Sequence, residues 1–158
     1  MSDNRRIVNA TPYVAFDGTQ MLSKLETRVY KWLYDFGLHP LYESETFTYW
    51  TGPRPTVPFY DLSRTRHNQL NMKKLVDMRY TPDFVCFYNG IKILIEAKGK
   101  ENDQFPIRKK LFRAYLETLD YPVIYAEIYT KRQLKEFIET LRNDYPNEIT
   151  GRNLVAGR

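Results

Sequence analysis

Cysteine is nearly missing from this chain: Cys86 is the only one in 158 residues. That excludes a disulfide framework within the chain, and without a Cys-x-x-Cys spacing it excludes the usual structural zinc sites. A reducing compartment fits, and a cytoplasmic location is the expectation. Histidine is almost as scarce. His39 and His67 lie far apart with no metal-ligand spacing, and His39 before Pro40 reads as a loop residue, so neither is given any chemistry. Long apolar runs are lacking too. Nothing approaches the ~18 consecutive apolar residues of a membrane span, and the opening "MSDNRRIVNA" has no apolar signal core. The chain reads as soluble, with no membrane partner.

What is present is apolar and aromatic material. Hydrophobic residues make up 42%, with 13 Tyr and 9 Phe, ample for a packed core and too much for a disordered chain. The length suits a single domain over residues 1–158. The formal charge is +5, and most of the surplus falls in residues 51–80. There Arg54, Arg64, Arg66, Lys73, Lys74 and Arg79 stand against Asp61 and Asp77 alone. Such a patch suits a polyanion, although a solvated surplus has the same composition.

The periodicity predicts an α/β fold. "MLSKLETRVYKWLYDFG" places Leu22, Leu25, Val29, Leu33 and Phe36 at helical spacing, closed by Gly37. "LHPLYESETFTYW" reads as one or two strands. Residues 51–79, with Pro53, Pro55 and Pro58, read as a basic, loop-rich insertion with one short helix near "LNMKKLV". "FVCFY" and "IKILIEA" flank Asn89-Gly90, the strongest short hairpin signal, and should pair antiparallel. "NDQFPIRKKLFRAYLETL" predicts a helix starting at Asn102 or Asp103, with Leu111, Tyr115 and Leu119 on one face. "PVIYAEIY" is a strand. "TKRQLKEFIETLRNDYP" is a helix with a Thr130/Gln133 capping box and a core face of Leu134, Phe137, Ile138 and Leu141. That order suits a mixed sheet flanked by helices. The core is expected over 16–50 and 80–143, and the tail from 147 to 158 is expected to be loose.

The chemistry gathers at one end of the predicted hairpin. Along a strand, Leu94, Glu96 and Lys98 share a face, and a turn centred on Asn89-Gly90 puts position 83 opposite position 96. An Asp, a Glu and a Lys therefore meet. Two close carboxylates call for a cation, and oxygen ligands without His or Cys favour Mg²⁺ or Mn²⁺. Such an ion polarises a phosphoryl oxygen and acidifies a bound water, while a neighbouring Lys stabilises developing negative charge. The plain alternative is a Glu–Lys surface pair with Asp83 as a turn residue after Pro82.

"PDF" at Asp83, thirteen residues before "EAK" at Glu96 and Lys98, resembles the signature of the PD-(D/E)XK nuclease superfamily. "FDGTQMLSKLE" further resembles phage endonuclease I and related Holliday-junction resolvases, the likeness running from about Phe16 to Tyr129. It implies a restriction-endonuclease-like αβββαβ core and a metal-dependent endodeoxyribonuclease acting on branched DNA, of phage type. Asp83, Glu96 and the Ala97 carbonyl would bind the metal, Lys98 would assist the attacking water, and Glu26 would complete the acidic site as a further metal ligand. A homodimer is implied as well. Spacing alone gives Glu26 another task, since Ser23 and Glu26 also form a capping box. The insertion at 51–79 departs from the compact family form. Arg64, Arg66, Lys73, Lys74, Arg108, Lys109, Lys110 and Arg113 are candidate DNA contacts. Tyr49, Trp50, Phe59 and Tyr60 could stack on unpaired bases, but aromatic residues are more often core, and they are assigned no role.

Overall fold

The computed structural model describes residues 11–99, 105–151 and 154. In chain order the elements begin with β1 (Tyr13–Val14), β2 (Gln20–Met21), α1 (Lys24–Asp35), β3 (Leu41–Tyr42) and β4 (Phe47–Trp50). Next come β5 (Tyr60–Leu62), β6 (Asn68–Leu70), β7 (Met78–Tyr80), β8 (Phe84–Tyr88) and β9 (Ile91–Ala97). The chain continues through α2 (Phe105–Leu116), β10 (Val123–Ile128) and α3 (Lys131–Asp144). It divides into two compact units, Glu45–Thr81 and the remainder.

The larger unit is a mixed α/β structure. Its sheet has the order β10-β9-β8-β3, with β10 parallel to β9 and the other pairs antiparallel. Asn89 and Gly90 both adopt positive φ, +45° and +80°, as a tight two-residue hairpin turn demands. The resulting register pairs Phe84 with Ile95 and Tyr88 with Ile91, as the turn predicts. Because side chains alternate, Ile91, Ile93 and Ile95 face one core, shared with Val29 and Leu33 of α1 and with Leu134, Ile138 and Leu141 of α3. The opposite face carries Leu94 and Tyr125. There α2 docks through the fully buried Phe112, whose ring meets Tyr125 edge-on at 5.6 Å. Each fully buried Ile or Leu contributes about 1.5–3 kcal/mol, and these two layers hold β9 from both sides.

Helix boundaries follow local chemistry. The Ser23 hydroxyl accepts the Glu26 N–H at 3.1 Å, and Gly37 and Leu38 donate back to Tyr34 and Leu33, a Schellman closure. Thr130 caps α3 and accepts the Gln133 N–H, while Gln133 returns its side-chain oxygen to the Tyr129 N–H.

Several expectations are corrected. Leu22 precedes the cap and is exposed, so it is not on the core face of α1. On α2 the core residue is Phe112 rather than the exposed Leu111, and the helix ends before Leu119; its expected start at Asn102 or Asp103 lies outside the described residues. The β1–β2 hairpin, with Asp17 accepting from the Tyr30 hydroxyl at 2.7 Å, had no counterpart in the periodicity. Of the tail, the 147–151 stretch is not loose: the Ile149 N–H donates to the Asn89 carbonyl at 2.8 Å, and Ile149 and Leu154 pack on the core.

The smaller unit consists of two antiparallel pairs. β4 pairs with β7 across an irregularity between Thr48 and Trp50, with Phe47 and Tyr80 buried. β5 pairs with β6 through the five-residue loop 63–67. No helix forms near "LNMKKLV": Leu70 is in β6, opposite Tyr60, and 71–77 is irregular, with the Asn71 side chain accepting the Lys73 N–H. An Asn at that point offers the backbone a local turn in place of a helical bond. Nor do the aromatics all pack inward, since Trp50, Phe59 and Tyr60 are exposed.

Candidate active site

The row of the sheet at the C-terminal end of β9 concentrates charge. The 84↔95 pairing continues to place Asp83, at the entry to β8, across from Glu96. One Asp83 oxygen accepts the Ala97 N–H at 2.7 Å, and the Asp83 carbonyl accepts the Glu43 N–H at 2.9 Å. Lys98 reaches Glu96 at 3.1 Å, and both side chains are largely shielded from solvent. Desolvation pushes the Asp83 carboxyl up to about 8, helped by repulsion from Glu96 and then Glu26, against the opposing pull of the Ala97 N–H and Lys98. Asp83 is a carboxyl group without enough positive charge around it.

Glu26 is held by its capping bonds and by Tyr42. It accepts the Ser23 hydroxyl at 2.7 Å and the Leu22 N–H at 3.1 Å, closing the helix start. It also accepts the Tyr42 hydroxyl at 2.6 Å, and Tyr42 stands beside Phe84 in the sheet. Burial and this carboxylate raise the Tyr42 phenol well above its ordinary value. Glu26 therefore lies close enough to repel Asp83. Among the described residues, however, no three carboxylate, imidazole or thiol side chains converge tightly enough to hold an ion by themselves.

Glu127 was not anticipated. In the parallel β9–β10 ladder it pairs with Glu96, so Glu96 and Glu127 occupy one row of the sheet, and Asp83, just before β8, lies near enough to Glu96 to be repelled by it. Lys109 of α2 lies 3.1 and 3.2 Å from its two oxygens. Lys109 is thus a partly buried member of this row, where composition suggested a simple phosphate contact. The available signal was a charge inside the oily "VIYAEIY", the same anomaly that marks Glu96; the parallel register that joins the two is not readable from local sequence.

The remaining basic candidates are divided between the units. Arg108 is half-buried on α2, and Lys110 and Arg113 are exposed there. Arg64, Arg66, Lys73 and Lys74 are all exposed in the smaller unit, Lys74 lying 4.0 Å from Asp77. His39 packs edge-on against Tyr34, and its ring serves as packing. Cys86 is fully buried, and burial pushes its thiol up to about 12, which leaves it inert as a nucleophile. Among the described residues no helix is long and apolar enough to cross a membrane. Compared with protein families, with curated proteins and with solved structures, the chain has no match.

Proposed function

We propose that this chain is a metal-dependent DNA endonuclease with a restriction-endonuclease-like core, acting on branched or otherwise structured DNA. The observation that carries the reading is the placement of Asp83 across from Glu96, with Lys98 on the same strand end, at the edge of a doubly packed sheet. The order α1-β3-β8-β9-α2-β10 is compatible with the αβββαβ arrangement that the PD-(D/E)XK resemblance implies.

The donor set suits a hard divalent ion. Two shielded carboxylates and a main-chain carbonyl offer oxygen only, and a cation there would relieve the repulsion that burdens Asp83. Mg²⁺ or Mn²⁺ would be held by Asp83, Glu96 and the Ala97 carbonyl, with Glu26 as an outer negative charge. The ion supplies a polarised phosphoryl oxygen and a water of lowered pKa. Lys98, now shared with Glu96, stabilises negative charge growing on the phosphate and orients the attacking water. Hydrolysis in this sense leaves a 5′-phosphate. A homodimer would allow two strands to be cut.

The test is a labelled panel of four-way junction, flap, linear duplex and single strand, with Mg²⁺, Mn²⁺ or EDTA. The native protein is compared with Asp83→Asn and Glu96→Gln. The expected result is metal-dependent cleavage, fastest on the junction and lost in both variants. Equal cleavage of duplex and junction would indicate a nicking or double-strand enzyme without branch preference. Binding without cleavage under every metal would replace the reading with a non-catalytic nucleic-acid-binding module.

A further inference from the structure

The β5–β6 hairpin of the smaller unit is two-faced. On one side Asp61 accepts the Asn71 amide at 2.7 Å, so the hairpin's only acid is engaged internally. On the other side the register places Tyr60 opposite Leu70, and Leu62 follows on the same face by alternation. These residues are 59%, 54% and 64% exposed, and Phe59 beside them is 59% exposed. A three-residue strand pair does not ordinarily leave this much apolar side chain in water unless something covers it.

The tip is equally specific. The Ser63 N–H donates to the His67 carbonyl, the Arg66 N–H donates to the Ser63 carbonyl, and the Ser63 hydroxyl accepts the His67 N–H. This network holds Arg66 at φ +62°, a conformation that arginine rarely adopts. Arg64 and Arg66 both project from the loop into solvent. In the whole unit six basic residues stand against three acidic ones, and Asp77 is turned inward to the Gly52 N–H and to Arg79.

We infer that this hairpin is a wedge for DNA with exposed bases: Tyr60, Leu62 and Leu70 cover the face of a base pair at a branch or break, while Arg64 and Arg66 hold the flanking phosphates. An apolar protein partner would match the face but leave the arginine tip without a counter-charge. A second copy of the chain would bring two +3 units together. A polyanion with flat apolar faces satisfies both halves of the hairpin at once. The inference rests on the DNA partner of the reading above but not on cleavage.

The test uses the full chain in EDTA with a four-way junction and a matched duplex, each carrying 2-aminopurine, at the branch or at the corresponding duplex position. The native protein should bind the junction at least tenfold more tightly than the duplex and change 2-aminopurine emission only at the branch. Tyr60→Ser with Leu62→Ser should abolish the emission change and most of the preference. Arg64→Ala with Arg66→Gly, which suits the left-handed backbone, should weaken binding to both DNAs and lower the slope of log affinity against log salt by about two. Circular dichroism checks that each variant folds. The wedge is overturned if both pairs of variants bind the junction like the native protein. It is equally overturned if the apolar pair leaves binding intact and instead converts a dimer to a monomer in light scattering, since the face would then serve self-association. Failure of the nuclease reading is separate, being seen as native protein that binds in this way yet never cuts when Mg²⁺ is added.

Discussion

Glu127 sits beside Glu96 in the parallel ladder, and each carboxylate has its own lysine 3.1 Å away, Lys109 for the first and Lys98 for the second. The sheet therefore tolerates two acids in one row because two cations from different elements neutralise them. Removing one partner leaves a shielded charge less well compensated, whereas removing both lessens the imbalance.

Glu127→Gln and Lys109→Met should each destabilise the protein by about 1–3 kcal/mol, and the double variant by clearly less than their sum. Urea unfolding of the four proteins measures this. Strict additivity would mean that the pair is not coupled.

The Asp83 titration has a defined sign. Its folded value of about 8 lies above the ordinary 3.8, so the folded state binds the proton more tightly than the unfolded one. The associated stability is fully present below about pH 4 and is lost as pH rises toward and through 8. In EDTA, Asp83→Asn should therefore be more stable than the native protein at pH 8–9, by on the order of a few kcal/mol, and lose that advantage near pH 4. Thermal melts across that range decide it. A pH-independent difference would place the carboxylate in a solvated setting.

Glu26 separates its two tasks by charge. Glu26→Gln keeps one oxygen for the Leu22 N–H and the Tyr42 hydroxyl and gives up the second oxygen, which accepts the Ser23 hydroxyl, so helix stability should fall by only about 1 kcal/mol. Loss of the negative charge should nevertheless lower the pH at which Asp83 gives up its proton, because Glu26 is among the groups that raise it. Carboxyl-carbon NMR titration reads this directly, and an unchanged midpoint would confine Glu26 to capping.

Gly90 is a backbone requirement. Its φ is +80°, and a Cβ there would come within 2.6 Å of the Ile149 carbonyl oxygen. Gly90→Ala should cost about 1–3 kcal/mol through the strained turn and the displaced 147–151 segment. A denaturation midpoint equal to that of the native protein would show that this segment yields freely.

Much of this architecture is local and could be read directly. Asn89-Gly90 selects a two-residue turn, and that turn alone sets the register that brings Asp83 to Glu96. Ser23, Gly37 and Thr130 mark helix ends through hydrogen bonds that reach only three or four residues. The apolar spacing of α3 matches its buried face because a helix averages its environment over several turns. What tertiary structure decided is non-local. Phe112 rather than Leu111 is buried because α2 turns to meet Tyr125, a residue on another strand. Residues 71–77 stay irregular because Leu70 is recruited into pairing with Tyr60, which outweighs a short helical pattern. Glu127 and Lys109 join the acidic row only through a parallel pairing and a helix crossing. Local chemistry places the hairpin turn and the charges that end it; the packing of β10 and α2 selects which further charges stand beside them, since registers between distant segments are set by whole faces of side chains and not by any short run of residues.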